Sequence, residues 1–304
     1  MVRFYVVSSL SDLSIVIPFK YDSPDRLANL ETVISYFRIF FTDIDLIILE
    51  VGESPHFKPG EENQDVQYTF IPLSPGTFLH RTALLNQGAK QSKRPYVTLY
   101  DTDVIFPPQA ILDTLSYLRS HPEAVFGFPY QGIFWEVQGE AKNLFVQTFD
   151  FSTVPTDIPP KVGACINGFT CIHTQSLGGA TFFRREPFLM VGGYNERFIS
   201  WGWEDNEIVT RFSKVGFPPF RISNPYCIHL SHPRTMDSQG THPFFKTNYQ
   251  EYKRVKRMNP IQLCRYIQTK LGGALSETVM QAIQDQYNRL SIWQKIKQAY
   301  LAYF

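Results

Sequence analysis

Hydrophobic positions in the first third of the chain form short apolar runs that alternate with amphipathic stretches. Four apolar runs predict strands, at residues 13–19, 44–51, 66–71 and 96–100. Two stretches, at residues 24–41 and 80–92, are typical of helices, and the first carries a clear apolar stripe. Ser23 can cap the first helix, and Pro24 suits its first turn. This alternation predicts an α/β fold with a mostly parallel sheet flanked by helices.

The remainder of the chain is less regular. Residues 128–176 are rich in Gly, Pro, Phe and Thr with weak periodicity, which predicts a long irregular excursion. Helices are predicted at residues 186–192 and 203–215, and a strand at 225–230. From about residue 260 the helical spacing predicts two or three C-terminal helices, interrupted at Gly272 and Gly273.

Composition narrows the class of protein. The 304 residues are 43% apolar and 19% charged, which is typical of a globular protein with a sizeable core. The net charge of +1 argues against a nucleic-acid partner. The four cysteines form no C-x-x-C pair, so a structural zinc site is not expected. We find no secretion signal and no apolar window of membrane-spanning length, so we expect a cytoplasmic protein. Peripheral contact with the inner membrane face stays open.

Two carboxylates follow the fourth predicted strand. Asp101 and Asp103 stand one residue apart at its end, and ligands of such sheets bind beyond the carboxyl ends of strands. Aspartates are costly to bury unless they bind something, and Mg²⁺ or Mn²⁺ prefers carboxylate oxygens. A turn stabilised by aspartate side chains is the alternative. The position of Asp101 and Asp103 at a strand end favours a metal site over such a turn.

Two further segments carry candidate chemistry. Residues 201–207 read Trp-Gly-Trp-Glu-Asp-Asn-Glu at the start of a predicted helix. Acids in a first helical turn favour the helix dipole, but this does not explain the tryptophans. The alternative is a sugar platform beside a general base. His229 and His232 close the strand at 225–230, and either can complete a metal site begun by Asp103.

Five blocks in order resemble one family. They are Ile17–Lys20, Phe78–Asn86, Asp101–Asp103, the stretch from Gly178 to Tyr194, and Trp201–Asp205. Together they resemble the GT-A glycosyltransferases, and among them the β-1,4-galactosyltransferases and bacterial chondroitin-type polysaccharide enzymes. The resemblance implies a Rossmann-like GT-A fold and a metal-dependent, inverting transfer of a galactose or N-acetylhexosamine type sugar from a UDP-sugar donor to a glycan acceptor. It also implies a role in bacterial surface polysaccharide synthesis.

The resemblance assigns roles to single residues. Asp205 is the expected catalytic base, and Glu204 the residue that holds hydroxyl groups. Mn²⁺ or Mg²⁺ is expected on Asp103 and His229, with His232 as the fallback for His229. The residues expected to bind the donor are Pro18, Phe19, Arg26, Glu50, Arg81, Asp101, Gly178, Gly179 and Trp203. An arginine fork such as that of Arg81 suits diphosphate oxygens.

Some positions depart from the family pattern, and other functions stay open. Two glycines that the family places before the acidic pair are missing, so Trp203 directly precedes Glu204. Lys20 stands where the family has an arginine. A sugar-phosphate nucleotidyltransferase is one alternative, although residues 17–20 are not the Gly-rich loop it needs. A catalytically inactive carbohydrate-binding relative is another.

The resemblance also suggests a domain organisation. It spans roughly residues 13–235. We expect a glycosyltransferase domain at residues 1–258, with a nucleotide-binding part at about 1–105 and an acceptor-binding part at about 106–258. Residues 259–304 are expected to form a C-terminal helical extension. Aromatic residues of the excursion at 128–176 either shape the acceptor groove or pack on one another. The oligomeric state is not predicted.

Overall fold

A computed structural model of the protein describes residues 8–60, 66–157, 161–224, 226–289 and 291. Its helices are α1 Pro24–Phe40, α2 Arg81–Gln91, α3 Pro108–Ser120, α4 Gly139–Thr148, α5 Arg185–Met190, α6 Glu204–Lys214, α7 Phe245–Arg257, α8 Pro260–Lys270 and α9 Glu277–Arg289. Two short 3₁₀ helices lie at Phe151–Thr153 and Met236–Ser238.

The strands of the described residues form three sheets. They are β1 Ser8–Ser9, β2 Leu13–Lys20, β3 Phe41–Thr42, β4 Leu46–Gly52, β5 Val66–Pro72, β6 Tyr96–Tyr100, β7 Val104–Ile105, β8 Phe126–Phe128, β9 Ile133–Val137, β10 Cys165–Ile166, β11 Phe169–His173, β12 Ala180–Arg184, β13 Phe220–Arg221 and β14 Tyr226–Leu230. β1 and β3 pair as a two-stranded parallel sheet.

The seven-stranded sheet has the order β13-β8-β12-β6-β2-β4-β5. Its strands β6, β2, β4 and β5 run parallel to one another, as the alternation of strands and helices predicts. Strand β12 runs antiparallel to both β6 and β8, so the sheet is mixed. The predicted α/β fold with helices flanking a mostly parallel sheet is confirmed. Strands β8 and β13 run in the same direction as β6, and among the described strands of this sheet only β12 is reversed.

Burial on both faces explains why the central strands are largely apolar. Strands β2 and β4 lie almost wholly in the interior. Helix α1 begins where Ser23 accepts a hydrogen bond from the backbone N–H of Arg26, and Pro24 occupies its first turn. Helix α2 packs so closely on β2 that a Cβ atom added to Gly88 would lie 2.2 Å from a methyl carbon of Val16. This close contact fixes α2 against the sheet.

The five-stranded sheet has the order β10-β11-β9-β14-β7. Three of its strands lie within residues 128–176, and helix α4 lies there as well, so the prediction of an irregular excursion is wrong. The strands are short and β9 pairs with the distant β14, which no local periodicity reveals. Tyr130, Trp135 and Phe149 are buried in the core, as the packing alternative for this segment predicts, whereas Phe134 lines a cavity.

The C-terminal segment is helical as far as it is described. Helices α8 and α9 match the prediction, and the turn at Gly272 and Gly273 separates them. This turn packs on the rest of the protein, because Ala274 donates a backbone hydrogen bond to Met190 (2.9 Å). Residues 292–304 lie outside the described residues. None of the described helices has the length and apolar composition that a membrane crossing requires. The division at residue 258 stays a prediction.

Candidate active site

A cavity of about 340 Å³ lies where strands β2 and β6 end. Residues from distant parts of the chain meet in it, as ligand sites in α/β sheets do beyond the carboxyl ends of strands. The predicted site residues that line it are Pro18, Arg26, Arg81, Asp101, Asp103, Gly178, Gly179, Trp203, Glu204, Asp205, His229 and His232. The structure therefore brings together the stretches around residues 101, 205 and 229.

The two aspartates that follow β6 are anchored by backbone hydrogen bonds on different sides. Asp101 donates its backbone N–H to the carbonyl of Gly179, immediately before β12 (2.8 Å). Asp103 accepts a backbone N–H from Leu230, at the end of β14 (2.7 Å). The segment that carries both aspartates joins the seven-stranded sheet to the five-stranded sheet. These two hydrogen bonds therefore fix the backbone from which both carboxylates extend.

Asp103, His229 and His232 form a candidate metal centre. One ligand atom from each lies within 4.8 Å of the others. The Nε2 atom of His232 lies 3.0 Å from Asp103 Oδ2, and that of His229 lies 3.8 Å from Asp103 Oδ1. The prediction treats the two histidines as alternatives, but the structure places both beside Asp103.

The surroundings of the three residues suit a bound cation. The Nδ1 atom of His229 lies 3.0 Å from Glu136, so the carboxylate accepts a hydrogen bond from Nδ1–H, and Nε2 faces Asp103. A carboxylate behind a metal-binding histidine is a common arrangement. Burial raises the pKa of Asp103, but His229, a hydrogen bond from His232 and Arg26 outweigh it and hold that pKa below its ordinary value. The residues present therefore fit a divalent metal ion.

A second acidic centre lies at the start of α6. Asp205 accepts a hydrogen bond from the Tyr194 hydroxyl (3.1 Å). Its Oδ2 atom lies 2.8 Å from the position that a Cβ atom on Gly178 would take, so only glycine fits there without moving the carboxylate. Gly179 has a φ of +88° and a Cβ atom there would lie 2.9 Å from Phe134. Gly178 thus leaves room for the Asp205 carboxylate, and Gly179 leaves room for the Phe134 ring.

Burial perturbs both carboxylates. Glu204 is 3% exposed. Its burial, together with the nearby Asp205 and despite Arg81, raises the pKa of Glu204 from 4.5 to about 7. Burial also raises the pKa of Asp205, against the opposing effect of Arg81. Paired acids whose pKa values are displaced in a cavity are typical of catalytic sites.

Replacing Glu204 with Gln is expected to stabilise the protein at pH 8 more than at pH 5. Because the pKa of Glu204 is raised to about 7 in the folded state, the folded protein binds more protons than the unfolded chain between about pH 4.5 and 7. Deprotonation of Glu204 therefore lowers the free energy of unfolding as pH rises through that window. The substitution should restore about 3 kcal/mol at pH 8, measured by chemical denaturation. An equal effect at both pH values would contradict this account.

Arg81 lies between Asp101 and the two carboxylates at the start of α6, Glu204 and Asp205. Its Nη2 atom lies 2.5 Å from Asp101, while Nη1 lies 3.7 Å from Glu204 and 3.9 Å from Asp205. Among the described residues, several buried side-chain atoms lack a hydrogen-bond partner, and three of them belong to residues that line this cavity: Arg81 Nη1, Trp203 Nε1 and Glu204 Oε2. Buried polar groups without partners are rare, so these three indicate a polar ligand.

Trp203 occupies an unusual backbone position. Its φ is +74°, a left-handed conformation that non-glycine residues seldom adopt. The indole ring stacks on Tyr252, with ring centroids 5.4 Å apart, and lies against Tyr249 at 4.6 Å. Trp203 therefore lines the cavity with its ring held by helix α7. Trp201 is 40% exposed at the same rim.

The structure places two predicted donor-binding residues away from the cavity lining. Phe19 is fully buried in the core, because strand β2 is covered on both faces. Glu50 is also buried, and its carboxylate accepts hydrogen bonds from the backbone N–H groups of His56 and Phe57 and from the Tyr68 hydroxyl. Glu50 therefore holds the loop that follows β4.

Other residues of the site carry no local sequence signal. Glu136 lies in the middle of a short strand, and only the parallel pairing of β9 with β14 sets it opposite His229. Asp237 lies far along the chain from Lys20, yet their side chains meet at 2.5 Å. Asp237 also accepts hydrogen bonds from the backbone N–H of Leu79 (2.9 Å) and the Ser200 hydroxyl (3.1 Å). These contacts depend on tertiary structure alone.

A comparison with protein families finds one that matches part of this site. A family model described as the N-terminal domain of galactosyltransferase matches residues 166–233. The chain is similar to galactosyltransferases. The matched segment contains Gly178, Gly179, the acidic pair and both histidines. The resemblance predicted from the sequence is confirmed over these residues. No curated protein sequence gives a significant match.

Solved structures of glycosyltransferases are similar to the chain as well. One is a mannosyltransferase from Pyrobaculum calidifontis in complex with GDP-Man and Mn²⁺, with 12% sequence identity, a TM-score of 0.46, and coverage of 96% of this chain and 81% of that chain. Another is the catalytic domain of Drosophila β1,4-galactosyltransferase 7 in complex with xylobiose, with 15% identity, a TM-score of 0.36, and coverage of 71% and 65%.

Proposed function

We propose that the protein is a metal-dependent, inverting glycosyltransferase that moves a sugar from a UDP-sugar to a hydroxyl group of a glycan acceptor. The observation that carries this proposal is the meeting of a metal-binding triad and a perturbed acidic pair in one cavity. The family match over residues 166–233 supports a glycosyltransferase. We further propose that the acceptor belongs to bacterial surface polysaccharide synthesis.

Asp103, His229 and His232 would hold the metal ion. Two imidazole ligands favour Mn²⁺ over Mg²⁺, which prefers oxygen ligands. When bound, the ion supplies positive charge that stabilises the diphosphate as it leaves. The protein adds cationic side chains to the same cavity, among them Arg26, Arg81 and Arg234. Arginine forks match phosphate oxygens geometrically, so these residues suit a nucleotide diphosphate.

Asp205 is the base in this proposal. It takes the proton of the acceptor hydroxyl while the acceptor oxygen forms a bond with the anomeric carbon of the donor. The bond from that carbon to the phosphate oxygen breaks, and its electron pair leaves with UDP. Attack opposite the leaving group inverts the anomeric centre. The raised pKa of Asp205 makes it a stronger proton acceptor than an ordinary aspartate.

Glu204 has a different role beside the base. With its pKa raised to about 7, a large fraction of this carboxyl group stays protonated near neutral pH. A protonated carboxyl group can donate a hydrogen bond as well as accept one. Its buried Oε2 atom has no hydrogen-bond partner within the protein. In this proposal Trp203, which lines the same cavity, stacks on sugar.

A panel of UDP-sugars tests the proposal. We expect release of UDP that requires both a glycan acceptor and Mn²⁺, and that stops when the metal is chelated with EDTA. Formation of pyrophosphate instead of UDP would identify a nucleotidyltransferase. Binding of glycans without any turnover across the panel would identify an inactive carbohydrate-binding relative. The anomeric configuration of the product, read by NMR, checks inversion.

A further inference from the structure

The guanidinium group of Arg26 lies against the candidate metal centre. Its Nη1 atom is 3.4 Å from Asp103 Oδ2, the carboxylate oxygen that also faces His232. Its Nη2 atom is 3.3 Å from both ring nitrogens of His232. The Arg26 cation therefore contacts two of the three residues that would bind the metal.

Arg26 is held in this position from behind. Its Nε atom donates to Asp22 Oδ1 at 3.0 Å, and the other oxygen of Asp22 accepts the Thr235 hydroxyl at 3.0 Å. The residue lies in the first turn of α1, where its backbone N–H binds the capping Ser23. Its side chain is only 16% exposed. The contact with Asp103 is thus part of a packed arrangement.

The contact with the metal centre is nevertheless a loose one. A strong hydrogen bond between arginine and a carboxylate measures about 2.7–2.9 Å, and the 3.4 Å separation from Asp103 is well beyond that. By contrast, Arg81 lies 2.5 Å from Asp101, and Lys20 lies 2.5 Å from Asp237. Of these three cations of the cavity, Arg26 has the longest ion pairs, 3.0 Å to Asp22 and 3.4 Å to Asp103, and is the readiest to turn toward a new anion.

A divalent ion and this guanidinium compete for the same ligands. Like charges repel strongly in a partly buried site, where the effective dielectric constant is low. A metal ion on Asp103 and His232 therefore requires Arg26 to withdraw. A diphosphate in the cavity offers that cation a better partner, because it carries several negative charges on oxygens that match the guanidinium fork.

We propose that Arg26 is an internal counter-ion that occupies Asp103 and His232 until a nucleotide diphosphate draws it away, so that metal and nucleotide bind cooperatively. This inference rests on the proposed function and adds to it a coupling between the two ligands. Arg26 acts here as a positioning residue. Thermodynamic linkage requires the coupling to be reciprocal, so the metal strengthens nucleotide binding by the same factor.

The test is a titration of the purified protein with Mn²⁺, followed by the electron paramagnetic resonance signal of the free ion, with and without UDP. For the unmodified protein we expect UDP to tighten Mn²⁺ binding by about 10-fold or more. For Arg26→Gln we expect Mn²⁺ alone to bind about 10-fold tighter than to the unmodified protein. The tightening caused by UDP should be at least about 3-fold smaller than in the unmodified protein, and the part that remains comes from direct attraction between the ion and the diphosphate. Arg119→Gln, which removes an arginine paired with Asp12 at the surface, is the matched control and should change neither value.

The results distinguish failure of the counter-ion proposal from failure of the proposed function. If Arg26→Gln binds Mn²⁺ alone no more tightly than the unmodified protein, Arg26 is not a competing counter-ion, and the proposed function stands. If the unmodified protein binds no Mn²⁺ with or without UDP, the metal-dependent function itself is wrong and the inference falls with it. Thermal unfolding verifies that Arg26→Gln folds. If Arg26→Gln does not fold, the titration is made with Arg26→Met, which retains the aliphatic stem.

Discussion

Asp205→Asn should lower kcat for sugar transfer by about 10²- to 10⁴-fold, the usual contribution of a positioned general base. Asparagine has nearly the same shape and can still accept the hydrogen bond from the Tyr194 hydroxyl. It cannot take a proton from an acceptor hydroxyl, so the chemical step fails while the cavity keeps its form. The affinity for UDP in the presence of Mn²⁺, measured by calorimetry, should stay within about 3-fold of the unmodified protein.

Two results would separate this role from a structural one. Asp113→Asn on helix α3, an exposed aspartate that accepts a hydrogen bond from Gln109, serves as the control and should leave kcat unchanged. If Asp205→Asn weakened UDP binding as much as it lowered turnover, Asp205 would be a donor-binding residue. The general base would then have to be sought elsewhere in the cavity.

Asp103→Ala is expected to abolish binding of Mn²⁺ and to weaken UDP binding in its presence by at least about 100-fold. Asp103 is the one carboxylate of the triad, and the two imidazoles that remain carry no negative charge for the cation. Calorimetric titration with Mn²⁺ and UDP measures the loss.

A graded comparison makes this second prediction sharper. Glu136→Gln removes only the carboxylate behind His229, and such outer residues typically contribute about 10- to 100-fold to metal affinity. Its effect should therefore be smaller than that of Asp103→Ala. Unchanged affinity in the Asp103 variant would place the metal elsewhere or remove it from the mechanism.

Elements with strong local periodicity were predictable from the sequence. Helix α1 has its capping serine and proline, and strands β2, β4 and β6 are largely apolar runs. Strand β12 and helix α7 were not predicted. The antiparallel pairing of β12 with β6 and β8 is fixed by long-range contacts, which local pattern does not carry. The short strands of the second sheet escaped prediction for the same reason.

In the candidate site, too, some features could be predicted from local sequence and others depend on the fold. Carboxylates and imidazoles are unusual at the ends of apolar strands and beside tryptophans. For this reason the sequence alone singles out Asp101, Asp103, the pair Glu204 and Asp205, and the two histidines. Their convergence on one cavity is a property of the fold. Phe19 and Glu50 show the limit of residue-by-residue transfer: adjacency to a strand end does not tell which way a side chain turns. The roles of the individual residues stay predictions.

The connection from β6 to β7 has a mechanical consequence. Asp101 is hydrogen-bonded to Gly179, beside strand β12 of one sheet, and Asp103 to Leu230 in strand β14 of the other, with Thr102 alone between them. Any sliding of the two sheets past each other must alter the spacing of the two carboxylates. A ligand that binds both carboxylates would connect the two sheets at this point. A change that loosens the contact between the sheets would therefore alter the affinity for the ligand before it unfolds either sheet.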